Sequence, residues 1–433
     1  MSETTTTTTT PAAAPAKKPK RPKSKSMIMA SEQLKKAFSD TQEAKARGEM
    51  IGWATSLFPQ EIPEALGLCI VYPENHSAGL AAQKATAPFL DYAEGVLGCN
   101  NDLCSYAKIN LAYAELLECP GNNMPVPDFL LVANNGCAET TKWFELLSRK
   151  WNIPLFMIDL TYNHFEGVNE ARCKYIAAQL RKLIDDLCKL TGKTWDEDKF
   201  IEVQKISARN RELWDAVCDS YADVPAPLGG FDLFNYMGSM VFTRGKKETA
   251  DVFEQLLLEI DEHRKNGTST FGKKEEFRIF WEGIACFPYL SHNAKTLAKY
   301  GINVVSASYG KAWALDYEIG NLEDMARAYC FASSNNILID ETVKRRIEWS
   351  EKYHIDGNLY HVNRACKVMS CQQQEVMRRV AEATGKPYIS FDGDQADFRN
   401  YSEAQFETRI EAFVELMRKN KEGKYDGISS GKP

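Results

Sequence analysis

Residues 128–160, DFLLVANNGCAETTKWFELLSRKWNIPLFMIDL, read as strand, turn, helix and strand in one unbroken unit. FLLVA is a short run of apolar side chains with no alternation, as a strand buried on both faces requires. Asn134, Asn135 and Gly136 make the turn, and Phe144, Leu147 and Trp151 recur at helical spacing before IPLFMIDLTYN (153–163) supplies the second run. A helix between two buried strands is the crossover of a parallel sheet.

Working outward, GLCIVYP (67–73) reads as another buried strand, and an amphipathic helix is expected from after Ser31 to about Arg47, closed by Gly48. From about 168 to 265 long helical periods take over. Strand-like runs return at 277–287, 302–310, 358–364 and 387–394. The expected architecture is therefore α/β, with two Rossmann-like units and a mostly helical section between them. The implied boundaries are a disordered basic tail over 1–26, an N-terminal α/β domain over 27–165, a helical domain over 166–275 and a C-terminal α/β domain over 276–433. No internal repeat is visible, although the two α/β units could be distant structural copies.

Charge is divided unevenly. The first 26 residues hold a threonine run, a Pro/Ala stretch and six basic residues (Lys17, Lys18, Lys20, Arg21, Lys23, Lys25) against Glu3, so the remaining chain carries about −11 of a net −6. Nucleic-acid binding rests on neutralising phosphates, and a body this acidic is a poor binder. No run of eighteen or more apolar residues is present, so no membrane span is expected. The tail lacks large apolar residues and cannot offset the entropy of ordering. Twelve cysteines in 433 residues fall well below the density of a disulfide scaffold. With no secretory segment before them, a reducing cytoplasm is expected.

Three of those cysteines share a setting. Cys104 (NNDLCSYAKIN), Cys137 (ANNGCAETT) and Cys366 (VNRACKVMS) each lie in a polar turn at the start of a helical period. Helix N-termini favour the thiolate, the form that binds metal, and in open α/β sheets ligands gather beyond the carboxyl ends of strands. Two readings follow: a metal or cluster site with one coordination position left open, or three buried thiols. Cys69, Cys173, Cys188, Cys218 and Cys371 fall within strand or helix periods and read as packing residues.

Two polar stretches also interrupt the apolar runs. GWATSLFPQE places Ser56 ahead of a helix, and VYPENH places Glu74 at a strand end, where it reads either as a general base or as a cap. FDGDQADFRN clusters Asp392, Asp394 and Asp397 after a strand; such a loop could take a divalent cation, but its spacing does not complete an EF-hand. No P-loop, GxGxxG, HExxH or GxSxG is present, so ATP chemistry would have to come from another protein.

The segments GWATSLFPQE, YPENH, NDLCSYAKIN, NNGCAETTKWFE, GFDLFNYM, WEGIACFPYL, YHVNRACKVMS and FDGDQADFRNYSEAQFETRI, in order from about 40 to 420, strongly resemble the 2-hydroxyacyl-CoA dehydratase family and its α-type subunit. The resemblance implies an oxygen-sensitive [4Fe-4S] cluster on Cys104, Cys137 and Cys366 with the fourth iron open, and active-site roles for Ser56 and Glu74. It implies loss of water from an (R)-2-hydroxyacyl-CoA through a ketyl radical. It also implies a β-type subunit, with which the chain forms a heterodimer, and a transient ATP-dependent iron–sulfur activator protein. ANNGCAE stands where many members carry CNNICN, and NGCAETTKWFELL leans toward the benzoyl-CoA reductase branch, whereas GDQAD and YPEN lean toward the dehydratases. An aromatic acyl-CoA reductase subunit and a cluster-bearing electron relay are the alternatives.

Overall fold

The structure, a computed structural model, describes residues 23–162, 167–332 and 334–424. Residues 1–22, where most of the expected disordered tail falls, lie outside the described residues. Two separate four-stranded parallel sheets organise the chain. The first holds β1 (Ile51–Ala54), β2 (Cys69–Val71), β3 (Phe129–Ala133) and β4 (Leu155–Ile158) in the order β2-β1-β3-β4. The second holds β5 (Phe277–Glu282), β6 (Ile302–Ala307), β7 (Gly357–Asn363) and β8 (Tyr388–Gly393) in the order β6-β5-β7-β8. Both follow the same path: second strand, first, third, fourth. The two units are thus copies in topology, though not in visible sequence.

Every residue of β1, β3, β5 and β6 is buried; β3 reads as a continuous apolar run for that reason, and β5 and β6 as apolar runs interrupted by the buried Arg278, Glu282, Asn303 and Ser306. β1 is the exception to that legibility. Its four residues, IGWA, include Gly52, which breaks the apolar run, yet β1 is the strand on which β2 and β3 pair. A Cβ at Gly52 would lie 2.5 Å from a ring carbon of Phe129, so the neighbouring ring occupies the space a side chain would need.

The helical section is present as expected: Glu170–Thr191, Glu197–Ser220, Gly230–Phe242 and Lys247–Asn266. The side chains of Asn169 and Asp196 cap the first two. A buried polar group anchors this section to the segment after β1. Arg244 Nη2 donates to the Phe58 carbonyl and to Tyr329 Oη, each at 2.9 Å, and Tyr329 Oη donates to Glu61 Oε2 at 2.5 Å.

The first helix spans Lys25–Ala46 and begins seven residues before the expected start. Ser24 caps it, and residues 24–26 belong to the body rather than to the tail. Ser26 is fully buried; its amide donates to Glu259 Oε1 at 2.8 Å and its hydroxyl to Oε2 at 2.5 Å, with Tyr236 Oη 2.6 Å away. The small polar residues of KSKS hid this, because nothing local in them signals a distant carboxylate. Ser26→Ala leaves Glu259 Oε2 and Tyr236 short of a partner and should destabilise the chain by about 1–3 kcal/mol, measured by denaturant unfolding; an unchanged midpoint would show that the contact contributes nothing. No described helix is long and apolar enough to cross a membrane.

Candidate functional site

Each sheet reverses its strand order beside its first strand, and ligand crevices open at such reversals beyond the carboxyl ends of the strands. Ser56 follows β1 by two residues, Glu74 follows β2 by three, Cys137 follows β3 by four and Cys366 follows β7 by three. Cys104, Cys137 and Cys366 are the N-cap residues of helices Ser105–Leu116, Ala138–Trp151 and Lys367–Thr384, as the local sequence pattern indicated. All three are partly exposed. The Cys104 amide donates to Glu139, two residues past Cys137, and Gln395, itself bonded to Asn363 three residues before Cys366, reaches Cys104 Sγ at 3.3 Å, so turns from the two sheets face one site.

Helix position alone would favour the thiolates, but burial dominates. It pushes Cys104 well above the usual thiol range, raises Cys137, and raises Cys366 to about 12. No sulfur closes a full capping hydrogen bond. The amides of Ala107, Glu139 and Met369 nevertheless lean toward Cys104, Cys137 and Cys366 and oppose that rise. Three thiols meeting in a desolvated pocket, each facing backbone N–H groups, form a soft donor set of the kind that holds iron–sulfur groups. Among the described residues no three His, Cys, Asp or Glu side chains close round a single ion. The sulfur donors of a cluster are spread wider than those of one ion.

Ser56 and Glu74 meet: the Ser56 amide donates to Glu74 Oε2 at 2.5 Å. Ser56 Oγ is buried beside the same carboxyl, short of a well-formed hydrogen bond. Glu74 keeps part of its surface open, yet burial of the carboxyl raises its pKa, against the pull of the Ser56 amide and hydroxyl. Its charge is also felt at Cys137. Two phenols that the sequence did not mark as functional join them. Tyr106 Oη is buried beside the Tyr309 hydroxyl. Burial first pushes both far above the ordinary phenol range, helped at Tyr106 by the charges of Tyr309, Cys104 and Glu74 and at Tyr309 by those of Glu74, Cys366 and Cys104, against the pull of the Tyr106 hydroxyl on Tyr309, so both stand as neutral donors.

A cavity of about 640 Å³ opens beside this group. Leu57, next to Ser56, Tyr309, and Met369, in the first turn of the Cys366 helix, reach its wall together with Trp313, Phe331 and Ile337. Lys311, Arg327, Arg345 and Arg346 line it as well. An apolar wall with several cations suits an apolar acyl chain carried on a polyanionic handle.

The acidic loop is not a cation site. Asp394 Oδ1 accepts from Ser105 Oγ at 2.6 Å and from the amides of Ala396 and Asp397 at 2.9 Å, and Oδ2 accepts from Asn400. Asp397 pairs with Arg399 at 2.7 Å and faces Lys108 Nζ at 3.5 Å; Asp392 is exposed. Lys108 is wholly buried and also bonds Glu94 at 2.8 Å. The loop is therefore a clamp that ties the Cys104 helix to the second sheet. Lys108→Met strips two carboxylates of their buried partner and should cost about 3–5 kcal/mol; a thermal-unfolding midpoint equal to that of the parent chain would contradict the clamp.

Sequence reasoning also missed Glu139, whose Oε1 accepts from the Cys104 amide at 2.9 Å, and Gln395, whose Nε2 reaches Cys104 Sγ at 3.3 Å. Both lay in stretches already singled out, as the residue two past Cys137 and the residue after Asp394, but a polar residue's target across the fold leaves no local trace. Cys371, expected to pack, is exposed.

Residues 55–417 match the sequence profile of the family described as "2-hydroxyglutaryl-CoA dehydratase, D-component". The chain is 44% identical to the (R)-2-hydroxyisocaproyl-CoA dehydratase alpha subunit of Clostridioides difficile, across 92% of this chain and 98% of that one. It is 42% identical to the (R)-phenyllactyl-CoA dehydratase alpha subunit of Clostridium sporogenes, across 88% and 92%. A benzoyl-CoA reductase subunit of Thauera aromatica is 25% identical, across 93% and 96%.

Proposed function

Because this chain belongs to the 2-hydroxyglutaryl-CoA dehydratase D-component family, we propose that it is the α-type subunit of an (R)-2-hydroxyacyl-CoA dehydratase that eliminates water to give a 2-enoyl-CoA. The observation that carries the reading is the meeting of three thiol N-caps from two sheets beside the Ser56–Glu74 pair and the cavity. Cys104, Cys137 and Cys366 would hold a [4Fe-4S] cluster. When bound, that group would supply one-electron reduction of the thioester, toward a ketyl radical able to expel the α-hydroxide, and Lewis acidity toward the substrate oxygen.

The chain's own residues handle position and protons. The proton to be lost is β to the thioester and barely acidic, and the hydroxyl is α and a poor leaving group. Glu74, biased by burial toward its protonated form, gives a proton to the departing hydroxide and then takes the β-proton, so water leaves and the carboxyl is restored. Ser56 Oγ, beside the Glu74 carboxyl, orients the substrate oxygen. The neutral Tyr106 and Tyr309 hydroxyls stabilise negative charge developing there. Leu57, Phe331 and Ile337 exclude water from the acyl chain.

A β-type subunit completes a heterodimer, and an ATP-hydrolysing iron–sulfur activator delivers the electron, in keeping with the alpha-subunit relatives and with the missing P-loop. Identity of 44% to a dehydratase against 25% to a benzoyl-CoA reductase favours dehydration over aromatic reduction. The test is anaerobic co-purification with the partner and activator, then product analysis on a panel of 2-hydroxyacyl-CoAs and benzoyl-CoA. Enoyl-CoA from the former is expected; a ring-reduced product from the latter alone would reverse the assignment.

A further inference from the structure

Gln395 stands on the loop after β8, and Asn363 ends β7, three residues before Cys366. Both are 1% exposed. Each carboxamide could face either way on shape alone, and a backbone amide decides between them. The Ala365 N–H can only donate, and it donates to Asn363 Oδ1 at 3.2 Å. That turns Asn363 Nδ2 toward Gln395 Oε1, where it donates. Gln395 is left with only its Nε2 to offer, and this lies 3.3 Å from Cys104 Sγ. A chain of fixed polarity therefore runs from the turn that carries Cys366 to the sulfur of Cys104.

The Asn363 carbonyl also accepts from the Cys366 amide at 3.2 Å and from Ser370 Oγ at 2.7 Å. The Cys104 amide is held by Glu139 from the Cys137 helix. All three cysteine turns are thus tied into one network. The charged groups facing Cys104 from these turns, Glu139, Cys137 and Cys366, are all negative or become so. The Gln395 N–H is the side-chain donor set against them.

We propose that Gln395, oriented by Asn363, is a positioning residue that raises the reduction potential of the group held at Cys104 by donating a hydrogen bond to that sulfur. The proposal rests on the cluster reading above. Ligand sulfurs carry more negative charge in the reduced state, so a donor favours reduction, and removing it makes the group harder to reduce. The polarity chain adds a second expectation. Asn363→Asp keeps the acceptor for the Ala365 amide but has no N–H for Gln395 Oε1. The Gln395 amide must then rotate and turn its oxygen to Cys104.

The experiment compares the full chain with Gln395→Leu, Gln395→Glu and Asn363→Asp, each purified anaerobically, by iron content and by reduction potential from an EPR-monitored titration. Iron per chain should equal that of the parent in all three. The potential should move to more negative values in all three, furthest in Gln395→Glu, which adds charge as well as losing the donor. Iron-loaded Gln395→Leu and Gln395→Glu chains with the parent's potential overturn the proposal. Loss of iron from both also overturns it, because a residue that only tunes a potential is not needed to hold the metal. A parent chain that binds no iron overturns the cluster reading instead.

Discussion

Cys104→Ala, Cys137→Ala and Cys366→Ala should each lower the iron bound by the anaerobically purified chain by at least about tenfold, while Cys371→Ala leaves it unchanged. The three thiols cap helices that converge from two sheets, and no neighbouring cysteine among the described residues stands ready to replace one of them. Cys371 lies one turn further along the Cys366 helix and is exposed, so it controls for the loss of any thiol. Removing a half-buried sulfur costs little packing, and the apo chain should stay folded. Iron and sulfide analysis beside a far-UV spectrum separates the two effects. A single variant that keeps the parent's iron would take that cysteine out of the site.

Glu74→Gln should cut turnover by about 10²–10⁴-fold, the usual range for a lost general acid–base, with iron content and the cluster spectrum intact. The sign of its effect on stability is independent of the chemistry. Burial raises the Glu74 pKa above the unfolded value, so the folded chain holds this proton more tightly than the unfolded one. Stability is then lost as pH rises from the ordinary carboxylate range through the folded value. Glu74→Gln has no proton to lose and keeps an acceptor for the Ser56 amide, so at neutral pH its melting temperature should equal or exceed the parent's. Turnover of the parent should fall as pH rises through the folded value, since the proton given to the leaving hydroxide is then missing. Ser56→Ala should be milder, about tenfold in turnover, because an alcohol orients substrate without accepting its proton. Full turnover in Glu74→Gln would leave the carboxylate as no more than a bracket for Ser56.

The difference between what the sequence revealed and what it hid follows the range of the interactions. Buried parallel strands announce themselves through apolar runs, unbroken in β2, β3 and β4 and interrupted by polar residues in β5 to β8, and seven of the eight strands were legible that way. β1 was not, because Gly52 yields its space to Phe129 and breaks the run. The cysteine turns were legible because a strand end, a polar turn and a helix start are all local. Which sulfur faces which is not local: Cys104 is brought to the other two by Glu139, Gln395 and Asp394, from 35 to 291 residues away. The acidic loop shows the same limit. Three aspartates in six residues look like a cation site until Ser105 and Lys108 arrive from the Cys104 helix to engage Asp394 and Asp397.

Dehydration and reduction differ in how many electrons each product consumes. Water is lost with no net change in oxidation state, so an electron given to the thioester returns once the enoyl product has formed. In the anaerobic complex, product should be measured against electrons delivered by a limiting, quantified reductant, with an (R)-2-hydroxyacyl-CoA as substrate. Many enoyl-CoA molecules are expected per electron, each lighter than its substrate by one water. A fixed stoichiometry of two electrons consumed per product, with no water lost, would contradict dehydration.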